Sequence, residues 1–149
     1  MNRQPEVWII DDDRAIRWVL EKALSQATIA THSFETADKA LSRLKRDRPD
    51  VIITDIRMPG TDGLALLDQV QHSDPSLPVI IMTAYADLDR AVAAYQGGAF
   101  EYLPKPFDVD EAVAIVRRAL AKTDEGLMPA VSSEAPRVSA DIIGAAPAK

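Results

Sequence analysis

Four short apolar runs, Val7–Ile10, Val51–Ile53, Val79–Met82 and Phe100–Leu103, each give way to a polar side chain able to handle a phosphoryl group or a metal. The first predicted strand runs into Asp11-Asp12-Asp13, the third ends at Asp55, the fourth at Thr83 and the fifth at Lys105. Runs this short, this rich in Val and Ile and bounded by turn residues read as buried strands. In an open parallel α/β sheet, ligands bind outside the carboxyl ends of the strands, so these distant residues would converge on one pocket.

The intervening segments carry a helical period. Ile16, Val19, Leu20, Ala23 and Leu24 form one stripe after the first strand. A second strand is expected over Ile29–Phe34, with Thr36 as N-cap of a helix carrying Ala37, Ala40, Leu41 and Leu44. Pro49 breaks the chain before the third strand, and Met58-Pro59-Gly60-Thr61-Asp62-Gly63 is turn chemistry ahead of a helix with Leu67 and Val70. Pro75 and Pro78 separate that helix from the fourth strand. A fourth helix shows Leu88, Ala91, Val92 and Tyr95 and stops near Gly97-Gly98; a last one shows Ala112, Val113, Val116, Ala119 and Leu120. Strands alternating with helices predict an α/β, flavodoxin-like, doubly wound five-stranded parallel sheet with five helices on its two faces.

With 149 residues, 47% of them hydrophobic and 27% charged, the chain has enough apolar material for one domain with a short appendage. The net charge of −6 and pI near 4.9 argue against a direct nucleic-acid reader. There is no cysteine, so disulfides and thiolate metal sites are excluded. The start MNRQPE has no apolar signal core and no run reaches membrane-spanning length, so a soluble cytoplasmic protein with no membrane partner is expected. From about Thr123 the chain is rich in Pro, Ala and Ser and free of aromatic residues, which reads as linker.

A strand-end acid alone is weak evidence; the combination with Thr83 and Lys105 is far stronger. Clustered carboxylates repel one another unless a cation neutralises them, and Mg²⁺ suits a few carboxylates plus phosphate oxygens. Asp55 could then attack phosphorus as an ionised nucleophile, with the metal and Lys105 neutralising the transferring group and Thr83 donating its hydroxyl to it. Spacing leaves open which of Asp11, Asp12 and Asp13 form the acid pair. His32 and His72 lack a partner at ligand spacing and read as surface residues; Trp8 belongs to the sheet, and Trp18 lies off its helix's stripe.

The segments Val7–Arg17, Asp50–Gly63 (D-V-I-I-T-D-I-R-M-P-G-T-D-G), Pro78–Tyr85 and Gly98–Phe107 (G-A-F-E-Y-L-P-K-P-F) resemble, in order, the receiver domain of bacterial two-component response regulators, also called the CheY-like fold. The resemblance covers residues 1–122. It implies a phosphoacceptor at Asp55, Mg²⁺ held by Asp11, Asp12, Asp55 and the backbone carbonyl of Arg57, a switch pair Thr83 and Tyr102, the phosphoryl-binding Lys105, and a cis bond before Pro106. Tyr102 could equally be a strand aromatic packed under a helix. The implied partner is a sensor histidine kinase, and the implied output is self-association through the face of helix four, strand five and helix five.

Arg17–Glu21, Gly63–Leu67 and Ala94–Val113 are similar to the nitrogen-regulatory branch of the sigma-54-dependent activators. Asp141–Ala148 is similar to the opening of the AAA+ ATPase domain that follows the linker there, so 123–140 is expected as linker and 141–149 as the start of that domain. No Walker A motif or helix-turn-helix follows, so contacts with sigma-54 RNA polymerase and DNA are expected of a full-length protein and not of this chain. The chain is expected to accept a phosphoryl group and lose it slowly without being a turnover enzyme. A phosphatase of the haloacid dehalogenase type needs an acid two residues after its nucleophile, where Arg57 stands. A dinucleotide module needs a phosphate-cradling loop where Asp11–Asp13 stand. A receiver used as a phosphorylation-independent docking module remains the alternative. The small residues Ala91, Ala93 and Ala94 and the Gly97-Gly98 end leave two readings of helix four, a bistable signalling element or a stable helix with a glycine cap.

Overall fold

The three central strands are apolar on both sides because both sides are covered. The computed structural model describes residues 4–125. Its elements are β1 Glu6–Ile10, α1 Arg14–Gln26, β2 Ala30–Phe34, α2 Ala37–Leu44, β3 Val51–Asp55, α3 Gly63–Ser73, β4 Val79–Thr83, α4 Leu88–Gln96, β5 Glu101–Pro104 and α5 Val109–Glu125. The five strands are all parallel, in the order β2-β1-β3-β4-β5, as the alternating periodicity predicts. Val7, Ile9, Val51, Ile53, Ile80 and Met82 face a layer in which α1 contributes Leu20 and Leu24 and α5 contributes Ile115 and Val116. Trp8, Ile10, Ile52 and Ile81 face the opposite layer, with Ala40 of α2, Leu66 and Val70 of α3 and Ala91 of α4.

Several expected boundaries move, each for a local reason. β2 starts at Ala30, not Ile29, because α1 ends in a tight C-terminal motif. The Ile29 amide donates to the Leu24 carbonyl (2.9 Å) and the Thr28 amide to the Ser25 carbonyl (3.0 Å). Thr28 takes the left-handed conformation that this motif requires, φ 65°, where glycine is the usual residue. β5 begins at Glu101, although the Phe100 amide still bonds to the Val79 carbonyl (2.8 Å). A 3₁₀ turn, Tyr85–Asp87, precedes α4 and has no signal in the periodicity. Of the expected α4 stripe only Ala91 is buried, and Tyr95 is 45% exposed. His32, expected at the surface, is half-buried and stacked on Phe34 with ring centroids 4.8 Å apart. Trp8 is buried and Trp18 exposed, as read from the stripes. The helix α5 runs to Glu125, beyond the expected boundary at 122; the rest of the expected linker to 140 and the segment 141–149 lie outside the described residues.

β1 lies between β2 and β3, so successive connections leave β1 in opposite directions and open a crevice at the carboxyl ends of β1 and β3. The register pairs Ile10 with Thr54 and Asp55 with Met82. Asp11 and Asp55 therefore emerge side by side, with Thr83 one step beyond on the next strand.

The left-handed Thr28 carries a steric cost that glycine would not. Thr28→Gly should raise the unfolding free energy by about 0.5–1 kcal/mol after the extra chain entropy of glycine is subtracted. Urea denaturation measures it, and an unchanged or lower midpoint would contradict this account of the turn.

Candidate functional site

Asp11 is fully buried, and both of its carboxylate oxygens are engaged. Oδ1 accepts from the Asp13 amide (2.8 Å), and Oδ2 accepts from Lys105 Nζ (2.9 Å). The same ammonium lies 3.4 Å from Oδ2 of Asp55, whose other oxygen accepts from the Ile56 amide (2.9 Å). One oxygen each from Asp11, Asp12 and Asp55 lie within 4.8 Å of one another. Asp12 is exposed and opens this trio to solvent, while Asp13 caps α1 by accepting from the Ala15 amide (2.9 Å). The acid cluster is thus Asp11, Asp12 and Asp55, and Asp13 serves the helix.

The charges are only partly compensated. Burial pushes the Asp11 carboxyl up, against the pull of the Asp13 amide and Lys105. Asp55 is pushed up by burial and then by the negative charge of Asp11, again outweighing Lys105. Burial works against the charge on Lys105, but Asp11 and Asp55 prevail and hold its ammonium protonated. Among the described residues the one cation in ion-pair range of these carboxylates is Lys105, which leaves net negative charge beside an open, all-oxygen face. That donor set fits a hard divalent ion such as Mg²⁺, which prefers carboxylates and keeps several waters.

Lys105 reaches inward from the end of β5, and the Lys105-Pro106 peptide is cis, as expected. Its backbone amide also bonds to the Thr83 carbonyl (2.6 Å), tying the two strand ends together. Thr83 is fully buried and its hydroxyl donates to the Ala84 carbonyl (2.9 Å). Tyr102 is not at the carboxylates. It pairs with Ile81 on β4, lies half-buried on the α4 side of the sheet, and meets Tyr95 edge-on with ring centroids 5.9 Å apart.

The guanidinium of Arg57 is engaged elsewhere, and being a cation with donors only it could offer a metal nothing but its backbone carbonyl. It forms a two-pronged pair with Asp87, Nε donating to Oδ2 and Nη2 to Oδ1 (2.8 Å). Asp87 is 3% exposed, and Arg57 holds its carboxyl below the usual range. Arg90 adds contacts to Asp87 (3.7 Å) and Asp62 (3.2 Å). Sequence reasoning missed Asp87, which stands beyond a strand end and far along the chain from Arg57. It also missed the packing role of Gly63. A Cβ there would lie 2.9 Å from the Asp55 carbonyl carbon and closer still to its oxygen. The first turn of α3 therefore rests directly on the backbone of Asp55, with the Gly63 amide bonded to the Ile56 carbonyl (2.8 Å).

Residues 7–117 match the family model described as response regulator receiver domain. The chain is 56% identical over 141 residues to the DNA-binding transcriptional regulator NtrC of Klebsiella pneumoniae, an alignment covering 95% of this chain and 30% of the relative. It thus spans about a third or less of the length of such relatives. Two solved structures of the receiver domain of nitrogen regulatory protein C align as well. The apo form has TM-score 0.73 and 59% identity, covering 81% of this chain and 97% of that one. The BeF3-activated form has TM-score 0.71 and 57% identity, covering 80% and 97%.

Two expectations follow from this geometry. Because the folded pKa values of Asp11 and Asp55 lie above their unfolded values, their ionisation costs stability at neutral pH, and that cost is relieved as pH falls through the raised values. Mg²⁺ should therefore raise the melting temperature at neutral pH, and the gain should shrink as pH falls and protons compete with the metal for the raised carboxyls. Melting curves with and without Mg²⁺ measure this; a gain that persists in Asp12→Ala would exclude the trio as its source. Separately, Gly63→Ala should cost about 1–3 kcal/mol by pushing α3 off Asp55, and should reduce the Mg²⁺-dependent gain. Retention of both stability and gain would show that the contact is slack.

Proposed function

Since the chain belongs to the response regulator receiver domain family, we propose that it accepts a phosphoryl group on Asp55 from the phosphohistidine of a sensor histidine kinase, with Mg²⁺ required. The observation that carries this reading is the shared position of Lys105 between Asp11 and Asp55 at the carboxyl edge of the sheet. Asp11, Asp12, Asp55 and the Arg57 carbonyl would hold Mg²⁺, which when bound offsets negative charge on the transferring group. The Asp55 carboxylate oxygen attacks phosphorus as the bond to the donor nitrogen breaks. Lys105 and Thr83 supply donors to the phosphoryl oxygens, the Asp55 backbone is backed by Gly63, and the Ile56 amide orients the Asp55 carboxylate.

Steady turnover is disfavoured, because the position two residues after Asp55 holds Arg57, a residue without acid/base use at neutral pH and already paired with Asp87. The chain is therefore read as a phosphoacceptor with slow self-dephosphorylation. The new charge would draw Thr83 and Lys105 toward the phosphoryl group. Two charge-assisted bonds of about 1.5–3 kcal/mol each approach the ~5.5 kcal/mol that takes a two-state equilibrium from 1:99 to 99:1. Thr83 and Tyr102 face the same side of the sheet, toward α4, which offers a route to that helix. Its neighbourhood carries the exposed aromatics Tyr85 and Tyr95, 75% and 45% accessible. These features support output through self-association on the face of α4, β5 and α5. In a full-length regulator that output would control a sigma-54-dependent activator of nitrogen-regulated genes, with RNA polymerase and DNA contacted by its other domains. The cytoplasm is the place for such a regulator; among the described residues no helix is long and apolar enough to cross a membrane.

Intact-mass measurement after incubation with acetyl phosphate tests this reading. One phosphoryl adduct that needs both Mg²⁺ and Asp55, and is absent in Asp55→Ala, is expected, together with a faster-sedimenting species in the phosphorylated sample. No adduct from acetyl phosphate or from a phosphorylated kinase would instead favour a phosphorylation-independent docking module.

A further inference from the structure

Among the described residues none donates a hydrogen bond to the Asp12 carboxylate, which stands exposed between β1 and α1, whereas the Asp11 and Asp55 carboxylates each accept one or more. The direction of the Asp12 side chain is therefore set by the backbone that carries it, above all by the peptide joining it to Asp11. Three bonds hold this turn. The Asp11 amide donates to the Phe34 carbonyl of β2 (3.1 Å), and the Asp13 amide donates to the Asp11 carboxylate (2.8 Å). The third comes from a side chain: Arg17 Nη1 donates to the Asp11 carbonyl oxygen (2.7 Å).

That carbonyl belongs to a fully buried residue at the end of β1, where the sheet ladder has run out, and a buried acceptor must be satisfied. Arg17 is anchored to do this. It lies one turn into α1, its own amide bonds to the Asp13 carbonyl (3.2 Å), and its side chain is half-buried. The helix that begins after the acids thus reaches back to hold the peptide between two of them.

We propose that Arg17 is a positioning residue for the cation site. It fixes the plane of the Asp11–Asp12 peptide and so pre-sets the Asp12 carboxylate against Asp11 and Asp55. This rests on the reading of that trio as a Mg²⁺ site. Two effects of opposite sign separate the idea from its rivals. As a bare positive charge, Arg17 would repel the metal, and removing it would tighten binding. As a brace, its removal loosens the ligand set and weakens binding, as loss of outer-shell partners of metal ligands does.

Calorimetric titration of the chain with MgCl₂ alone tests this, using wild type, Arg17→Met and Arg17→Lys, with thermal melts alongside. Methionine keeps an apolar stem but donates nothing; lysine keeps a charge and a donor. The Met variant should bind Mg²⁺ about tenfold more weakly, and the Lys variant should stay within about threefold of wild type. Should the Met variant not fold, Arg17→Gln takes its place, with Gln shorter in reach and the same weakening expected. Unchanged or tighter Mg²⁺ binding in a folded variant overturns the proposal, even if its melting temperature falls, because that would leave Arg17 a purely structural role. Absence of Mg²⁺ binding by the wild type would instead overturn the metal-site reading and this proposal with it.

Discussion

The structure depends on an unbalanced charge. Asp11 and Asp55 are forced together by the β1–β3 register, and the one ammonium between them, Lys105, cannot neutralise both along with Asp12. Burial raises the cost of each uncompensated carboxylate. The fold bears this cost because the rest of the sheet is ordinary. Its three central strands are filled on both faces mainly with Val and Ile, and its helices contribute apolar stripes. A carboxyl edge that is unfavourable alone is one that gains from binding, and the gain goes to whatever brings positive charge to that place.

Around this centre the chain is braced from several directions. Gly63 lets α3 rest on the backbone of Asp55, Arg17 holds the carbonyl of Asp11, and the Lys105 amide is tied to Thr83. The loop after β3 is joined to the turn before α4 through Arg57, Asp87, Arg90 and Asp62. Exposed ion pairs usually contribute little, but the Asp87 carboxylate is almost wholly buried and takes a two-pronged guanidinium. The loop that follows Asp55 and the start of α4 are thus tied by charge. α4 itself is thinly held, with Ala91 as its only fully buried residue. Such an element is easier to displace than α3, which buries Leu66, Leu67 and Val70.

Much of this was legible in the residues. Four of the five strands announced themselves as apolar runs, Thr36 marked the start of α2, and Asp11, Asp12, Asp55 and Lys105 all stood where strand ends would place them. Boundaries were less legible because they are set by hydrogen bonds that side-chain periodicity does not record, as at Ile29, whose apolar character suits a strand but whose amide closes α1. α4 misled for a related reason. Its helical spacing is real, yet Tyr95 leaves the core for an edge-on contact with Tyr102, a contact between residues on different elements.

The sequence by itself determined the alternation of strand and helix, the parallel sheet and the set of polar residues at its carboxyl edge, since periodicity and chain connectivity are local properties. Tertiary structure alone decided which acids meet. It turned Asp13 into a helix cap, gave Arg57 to Asp87, set Lys105 between Asp11 and Asp55, and brought Arg17 back onto the strand that precedes it. The physical reason is one of distance and direction. A residue's type says what it can bond, but only the packed backbone says which partner lies within about 3 Å of it and facing it.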